Sequence, residues 1–467
     1  MSAALRTRLA EIDTSIVELR SRLKTVEDDR RSIQQQLDDI TYPILTLPAE
    51  ITSEIFLQCL PGNESVFHRT LWKPYPAPIS LLHICREWRF IAIATPRLWT
   101  FLQLNLPDLP DRFLKTERYK EFLSEWLARV CGRPLSLELA TLDYFPNPGE
   151  PARLLVTHTL HSLASHIRTL HLSIYPDHYP PIPLDFPLLR ELLLGYTTDS
   201  EEEFNVENSI QTFSAAPQLR DIYMFCKAAP SFFAMPWHQL TVFKGEEVSS
   251  RECATVLGLA PSLVQCTFDE PYSTPDTPFT THMGLKSFEL CETGDVLFRF
   301  LALPALQTLQ IVLYDSDDGD EHVLPFISRS SRSLLKFSAP ASSRVPVRCL
   351  LDMVLLTYLV LDTPETEYLT ELVGLLDRAN TWDSLPELQV LELSHCAPYI
   401  NEPLITALSS RAVAQEGRAR LRSFRQTWLS KDRSQRTYRV DPAGYIGIAL
   451  KKLADDGMEI HLGYSSL

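Results

Sequence analysis

Glycine is scarce in this chain, with 15 among 467 residues. Loops that cradle phosphate use glycine to bring backbone N–H groups close to the ligand. No Walker A, G-x-G-x-x-G or G-x-S-x-G sequence occurs, so chemistry built on such loops is not expected. The nine cysteines, Cys59, Cys85, Cys131, Cys226, Cys253, Cys266, Cys291, Cys349 and Cys396, contain no C-x-x-C pair. Scattered and odd in number, they argue for a reducing compartment and read as core thiols, against a disulfide framework or zinc site. An uncharged apolar run of about 18 residues is also lacking, so no membrane-spanning helix is expected. Met1 to Asp13 alternates apolar and charged residues, unlike a signal peptide. The cytosol or nucleus is the expected compartment. Positive charge is the minority: 44 Lys and Arg against 59 Asp and Glu, a net charge of −15. Such a surface repels nucleic acid and anionic membranes and suits basic protein partners. Proline is abundant at 34, and 45% of residues are hydrophobic and 22% charged. This is globular material, long enough for two or three domains.

The first forty residues carry a heptad pattern. Leu9, Ile16, Leu23, Arg30 and Leu37 fall at a positions; Leu5, Ile12, Leu19, Val26, Ile33 and Ile40 fall at d positions. Only Arg30 breaks the row. A repeat of about 3.5 residues keeps one stripe facing a partner along a supercoil. In a parallel pair Arg8 would face Asp13 and Arg22 would face Glu27, which favours self-association as a homodimer through residues 5–40; a heteromeric partner, or a helix folded back on its own chain, would bury the same stripe. Tyr42-Pro43 should end the helix. The chain is thus expected to divide into a coiled-coil helix (1–41), a small helical module (42–104) and a repeat region (105–467).

Two apolar blocks define the helical module. The first is Leu47-Pro48-Ala49-Glu50-Ile51 followed by Ile55-Phe56 and Leu60, and Pro48 suits the first turn of a helix. The second is Ile84-Cys85-Arg86-Glu87-Trp88-Arg89, then Pro96-Arg97-Leu98-Trp99. A unit this short cannot bury a large core of its own, so apolar surface should remain for a neighbour or partner. In this order and spacing the two blocks resemble the F-box family. The resemblance implies docking onto a Skp-type adaptor and through it a cullin ligase core, with Leu47, Pro48, Ile51, Ile55, Phe56, Trp88 and Trp99 as adaptor contacts. One departure is the stretch from Pro61 to Pro78, longer than the usual F-box loop. The combination of leading coiled coil, F-box and degenerate leucine-rich tail is similar to F-box proteins of mushroom-forming fungi.

From about residue 130 an apolar-x-x-apolar-x-apolar pattern recurs. It reads Ile167, Leu170, Leu172; then Leu189, Leu192, Leu194; then Leu219, Ile222, Met224. It continues with Leu240 and Phe243; Leu263, Cys266 and Phe268; Leu285, Phe288 and Leu290; and Leu306, Leu309 and Ile311. Leu334 and Phe337, Leu356, Leu359 and Leu361, and Leu388, Leu391 and Leu393 complete it. The base period is about 22, within the range of leucine-rich repeats, which these units resemble in degenerate form. The asparagine usual after each strand is mostly absent. Each unit supplies a short strand with one apolar face, which only stacking can bury. Leu135 to Leu139 should add an opening strand and Gly457 to Leu462 a closing one. The expected fold class is therefore an α/β repeat: coiled-coil helix, small helical module, and degenerate leucine-rich-repeat solenoid.

Longer spacings hold acidic insertions, Asp199 with Glu201, Glu202 and Glu203, and Asp315 to Glu321. Glu246-Glu247, Asp269-Glu270, Glu292 and Asp362 share one offset after their strands. Stacked in register, these carboxylates line a rim that would accept a basic segment; the alternative is a set of ordinary solvated turns. His171, Tyr223, Lys244, Glu289, Gln310 and Glu392, one past the second apolar position of their units, should sample the open face and contact a target. Asp315 to Glu321 lacks the placed glycine and terminal glutamate of a calcium loop. His158, His161, His166, His171 and His178 match no zinc spacing. Residues 411–439 are locally basic and read as a solvated face or a complement to the acidic rim. No catalytic residue, metal ligand or cofactor is expected. The F-box resemblance implies a non-catalytic receptor of a Skp–cullin–F-box type ubiquitin ligase, an adaptor-binding module joined to a target-binding solenoid; the alternative is a protein-interaction scaffold unconnected to ubiquitin, built on the same coiled coil and solenoid.

Overall fold

The computed structural model describes residues 2–38, 43–60, 77–106, 117–141, 149–196, 209–226, 229–291, 294–312, 322–341, 345–364, 366–377, 384–395, 400–413, 418–429 and 444–465. These form two compact units, Met1–Trp99 and Thr100–Leu467.

In the first unit, α1 (Ser2–Asp38) is one uninterrupted helix. From Ala4 to Gln36 every side chain on it is exposed, the heptad residues Leu5 to Ile33 included. Ile40 lies outside the described residues. Next come α2 (Ala49–Gln58), a 3₁₀ turn at Ser80–His83, α3 (Arg86–Ile93) and a second 3₁₀ turn at Pro96–Trp99. Pro48 caps α2: its missing N–H costs nothing there, and its carbonyl accepts from the Thr52 backbone N–H at 3.0 Å. Cys85 caps α3, its Sγ accepting from the Trp88 backbone N–H at 3.4 Å. α2 and α3 meet through the rings of Phe56 and Trp88, 4.9 Å between centroids. Buried Trp99 donates from Nε1 to the Ala92 carbonyl at 2.9 Å.

The second unit holds a parallel sheet. Its strands are β1 (Phe101–Asn105), β2 (Leu135–Ala140), β3 (Ile167–Ser173), β4 (Glu191–Tyr196), β5 (Asp221–Cys226), β6 (Val242–Glu246), β7 (Gln265–Asp269), β9 (Ser287–Cys291), β11 (Thr308–Val312), β12 (Lys336–Pro340), β13 (Tyr358–Asp362), β14 (Val390–Ser394), β15 (Ser423–Leu429) and β16 (Glu459–Ser465). Two-residue strands β8 (Thr280–Thr281) and β10 (Leu301–Ala302) pair separately. The fourteen larger strands lie side by side in chain order. β1 takes up residues that the sequence pattern had assigned to the helical module, and it pairs with β2.

One register runs through the sheet. Leu102 pairs with Leu137, Leu137 with Leu170, Leu170 with Leu192, and so on through Phe243, Phe288 and Leu359 to Phe424 and Ile460. Burial alternates along the strands, with this ladder inward. Parallel neighbours require a long return. Most described returns hold 3₁₀ turns or the helices α4 (Glu117–Val130), α5 (Gly149–Leu163), α6 (Ser250–Leu259), α7 (Val323–Ser330), α8 (Thr366–Leu376), α9 (Glu402–Ala412) and α10 (Tyr445–Asp455), whereas the return from β7 to β9 holds only β8. Two of the three long spacings, after Leu306 and after Leu356, accommodate α7 and α8. A phenylalanine stack fills the middle: Phe243 with Phe268 at 5.9 Å, Phe268 with Phe288 at 6.1 Å, and Phe298 with Phe326 at 4.6 Å.

Several strands end on a turn made by residues other than glycine. Glu247, Glu270, Thr363 and His395 each follow a strand and adopt positive φ, 52°, 45°, 46° and 52°. The N–H of Glu247 donates to Asp269 O at 2.9 Å and that of Thr363 to Ser394 O at 2.9 Å, carrying the ladder one step past the strand ends. The cysteines divide. Cys253, Cys266 and Cys349 are buried, and burial pushes the Cys253 and Cys266 thiols up. Cys59 and Cys131 are exposed, so the expectation of core thiols holds only in part.

Candidate functional site

Two surfaces carry the residues singled out by the sequence. The first is on α2. Its inward face is set by Thr52 and Phe56, both buried. Because a helix repeats every 3.6 residues, Ile51 and Ile55 fall on another face; both are exposed, Ile51 by 50%, as is Leu47 just before the helix. Pro48 is exposed beside them, with Ile44 and Leu45 in the preceding turn. A monomer gains nothing by presenting five large aliphatic side chains together, and such a patch marks an interaction surface. Of the seven expected adaptor contacts, Phe56 is 1% and Trp99 0% exposed. They can shape the surface but cannot form it. Trp88 is half-buried against Phe56. The sequence pattern missed Ile84, Phe90 and Ile93, which are exposed, Phe90 by 71%. Their signal was an apolar set outside the Ile91–Ala92 buried face of α3. The ion pair Arg97–Glu54, 3.2 Å, ties the last turn to α2, but both partners are exposed and it contributes little. Residues 61–76 of the long proline-rich stretch lie outside the described residues.

The second surface is the sheet face opposite the apolar ladder. The register places His171 beside Leu193, Leu193 beside Tyr223, and Tyr223 beside Lys244. The row continues through Thr267 to Glu289 and Gln310, then through Ser338 and Val360 to Glu392. All six residues chosen from the sequence thus stand in one row, each half-buried. The same row holds Gln103, Glu138, Arg425 and His461, which the repeat pattern did not reach. Gln103 Nε2 donates to Glu138 at 3.1 Å, Thr267 to Glu289 at 3.2 Å, and Tyr358 to Glu392 at 2.8 Å. Lys244 sits over the Phe225 ring at 5.5 Å and Lys336 over Tyr358 at 5.0 Å. A cavity of about 340 Å³ at the far end is lined by Ser423, Arg425, Glu459, Ile460 and His461.

Carboxylates crowd this face. Glu191 and Asp221 are paired in register, as are Glu246 and Asp269. Burial and then Asp221 push the Glu191 carboxyl up. Burial and then Asp269, Glu270 and Glu247 do the same to Glu246. Burial, then Glu191 and Asp221, raise Tyr223. Burial holds His171 below its ordinary value, and its Nδ1 is buried without a hydrogen-bond partner among the described residues. Of the expected rim, Glu246, Glu247, Asp269, Glu270 and Asp362 are in place; Glu292, Asp199, Glu201–Glu203 and Asp315–Glu321 lie outside the described residues. Among the described residues no group of three or more His, Cys, Asp or Glu is placed to hold a metal ion. His158, His166 and His178 each hydrogen-bond a neighbouring hydroxyl instead. The basic stretch is partly interior: Arg411 is buried and Arg420 donates to the Gly457 carbonyl. No described helix is long and apolar enough to cross a membrane. Comparison with known proteins finds no matching family model and no curated protein of significant similarity.

Proposed function

We propose that this chain is a non-catalytic substrate receptor of a Skp–cullin–F-box type ubiquitin ligase. The observation that carries the reading is the exposed pair Ile51 and Ile55 on α2, continued by exposed Leu47 just before the helix, whose other side is closed by Phe56 and Trp88. This divides the F-box-like residues into a scaffold and an outward apolar surface, as adaptor docking needs. The sheet then acts as a degenerate leucine-rich-repeat solenoid. Fourteen parallel strands in chain order support that reading, because stacked repeats pair only with their neighbours. The row from His171 to Glu392 contacts the target. Paired carboxylates at Glu191–Asp221 and Glu246–Asp269 favour a basic segment in that target. The receptor works by proximity, raising the target's effective concentration near a ubiquitin-charged enzyme.

The test is a purified binding assay against a Skp-type adaptor. The intact chain is expected to bind, and Ile51→Asp, an exposed change that leaves the interior untouched, to weaken binding more than about tenfold, or over 1.4 kcal/mol. No binding by the folded intact chain overturns the ligase reading and leaves a protein-interaction scaffold built on the same sheet.

A further inference from the structure

The long helix α1 presents an apolar seam with no cover. Leu5, Leu9, Ile12, Ile16, Leu19 and Leu23 are all more than a third exposed, and Val26 extends the row. The helix is uninterrupted from Ser2 to Asp38, about 55 Å. The charges beside the seam decide what covers it. Arg6, Asp13, Arg20 and Glu27 occupy e positions, and Arg8, Arg22 and Asp29 occupy g positions. Arg22 pairs within the helix with Glu18 at 2.9 Å; the other six make no ion pair within the described chain.

We infer that α1 forms an antiparallel coiled coil with a second copy of this chain, over residues 5–30. In an antiparallel pair each a residue packs against a d residue of the partner, and e faces e while g faces g. One register pairs six of the seven flanking charges across the interface and leaves Arg22 to its own Glu18. Leu9 packs on Val26 of the second copy, Ile12 on Leu23, and Ile16 on Leu19. Arg6 then faces Glu27, Asp13 faces Arg20, and Arg8 faces Asp29, each pair formed twice by the twofold axis. Ser15 faces Arg22, so no like charges meet.

The alternatives fail on the same residues. Sliding the partner by one heptad toward shorter overlap sets Arg6 against Arg20 and Asp13 against itself. Sliding it the other way to full overlap sets Arg20 and Arg22 each against its own copy and Asp13 against Glu27. A parallel pair keeps the Arg8–Asp13 and Arg22–Glu27 contacts but stacks Arg30 on Arg30 in the middle of an a layer, where a buried like-charge pair is costly. The antiparallel register instead puts Arg30 at the end of the seam against Leu5, where its stem covers the leucine and its head reaches water. The break in the heptad row thereby marks the end of the pairing.

Charge exchange on the full-length chain distinguishes the orientations without touching the apolar row. Sedimentation equilibrium is expected to show a dimer. Arg6→Glu sets like charges against Glu27 twice, weakening the dimer about tenfold; adding Glu27→Arg restores it. In a parallel dimer Arg6→Glu has no partner to disturb, and Glu27→Arg would then meet Arg22 and weaken association. A monomer, a higher oligomer, or a double variant weaker than the intact chain overturns the proposal. Circular dichroism of each variant, expected unchanged in helix content, excludes loss of α1 as the cause.

Discussion

At the scale of single residues, the repeat pattern is interrupted where packing overrides it. The unit at Leu240 and Phe243 lacks the third apolar residue because Gly245 stands there. A Cβ at Gly245 would lie 2.9 Å from the Phe243 ring and 2.8 Å from a Val248 methyl. The phenylalanine occupies the room that a leucine takes elsewhere in the ladder. Glu191 shows the electrostatic side of the same crowding. It is half-buried, and Asp221 stands beside it in register. Its carboxyl is raised in the folded state above the usual 4.5. A group with a raised pKa favours folding when protonated, so its ionisation weakens the fold at pH 7 and ceases to do so below the ordinary carboxylate range. Glu191→Gln is therefore expected to stabilise the protein at pH 7 by up to about 1 kcal/mol, with the gain gone by about pH 4. Urea midpoints of both proteins at the two pH values check this; equal gains at both would mean that packing, not charge, is responsible.

At the scale of elements, periodicity was readable and exceptions to it were not. All ten apolar units fall in or at the start of strands, and the expected opening and closing strands are β2 and β16. β1 was hidden because Phe101-Leu102 follows the Trp99 turn without a break. β15 was hidden because buried Gln426 holds an inward position that other strands give to leucine. The surface row was legible because a strand alternates, so one residue past a ladder position must face the other way. The division of the seven adaptor candidates into interior and surface was not legible, since Phe56 and Ile55 are adjacent and equally apolar. Nor could the sequence separate Arg411 from the exposed basic residues after it. On α9 its side chain is 2% exposed and closes the end of α8, with Nε on Leu376 O at 2.6 Å. Its terminal nitrogens donate to Leu385 O and Ser384 O, both at 2.9 Å. The carbonyls it satisfies include one at the negative end of a helix. Arg411→Ala leaves all three without that donor and opens a void, an expected loss of about 3–5 kcal/mol. Urea unfolding measures it. Arg411→Lys should recover part of the loss, because a lysine donates from a single nitrogen and cannot span carbonyls on two segments.

At the scale of the whole sheet, connectivity sets how the second unit comes apart. Each of the fourteen sheet strands bonds only to the sheet strands next before and after it in the chain, β8 and β10 pairing apart, so coupling between distant strands passes through every one between. Stability is then close to a sum of local and nearest-neighbour contributions, and a weak link at the centre separates the ends. Phe288 is that link. It is fully buried on β9, with ring centroids 6.1 Å from Phe268, 6.4 Å from Phe298 and 6.5 Å from Phe326. Phe288→Ala removes all three contacts at a cost of about 3–5 kcal/mol. In a domain with one all-or-none core the loss would lower a single transition. Here it should split unfolding in two, with β1 to β7 and β11 to β16 losing protection at different urea concentrations. Hydrogen exchange read by peptide across a urea series resolves the two halves. The same truncation at the first strand, Leu102→Ala, should loosen β1 and β2 and leave β11 to β16 unmoved. If both variants shift every peptide together, the sheet is one cooperative core and nearest-neighbour coupling is not what governs it. The split outcome also bears on recognition. If the row from His171 to Glu392 holds a target as proposed, that target bridges strands on both sides of β9, and it should rejoin the two transitions in Phe288→Ala by binding only when both halves are folded.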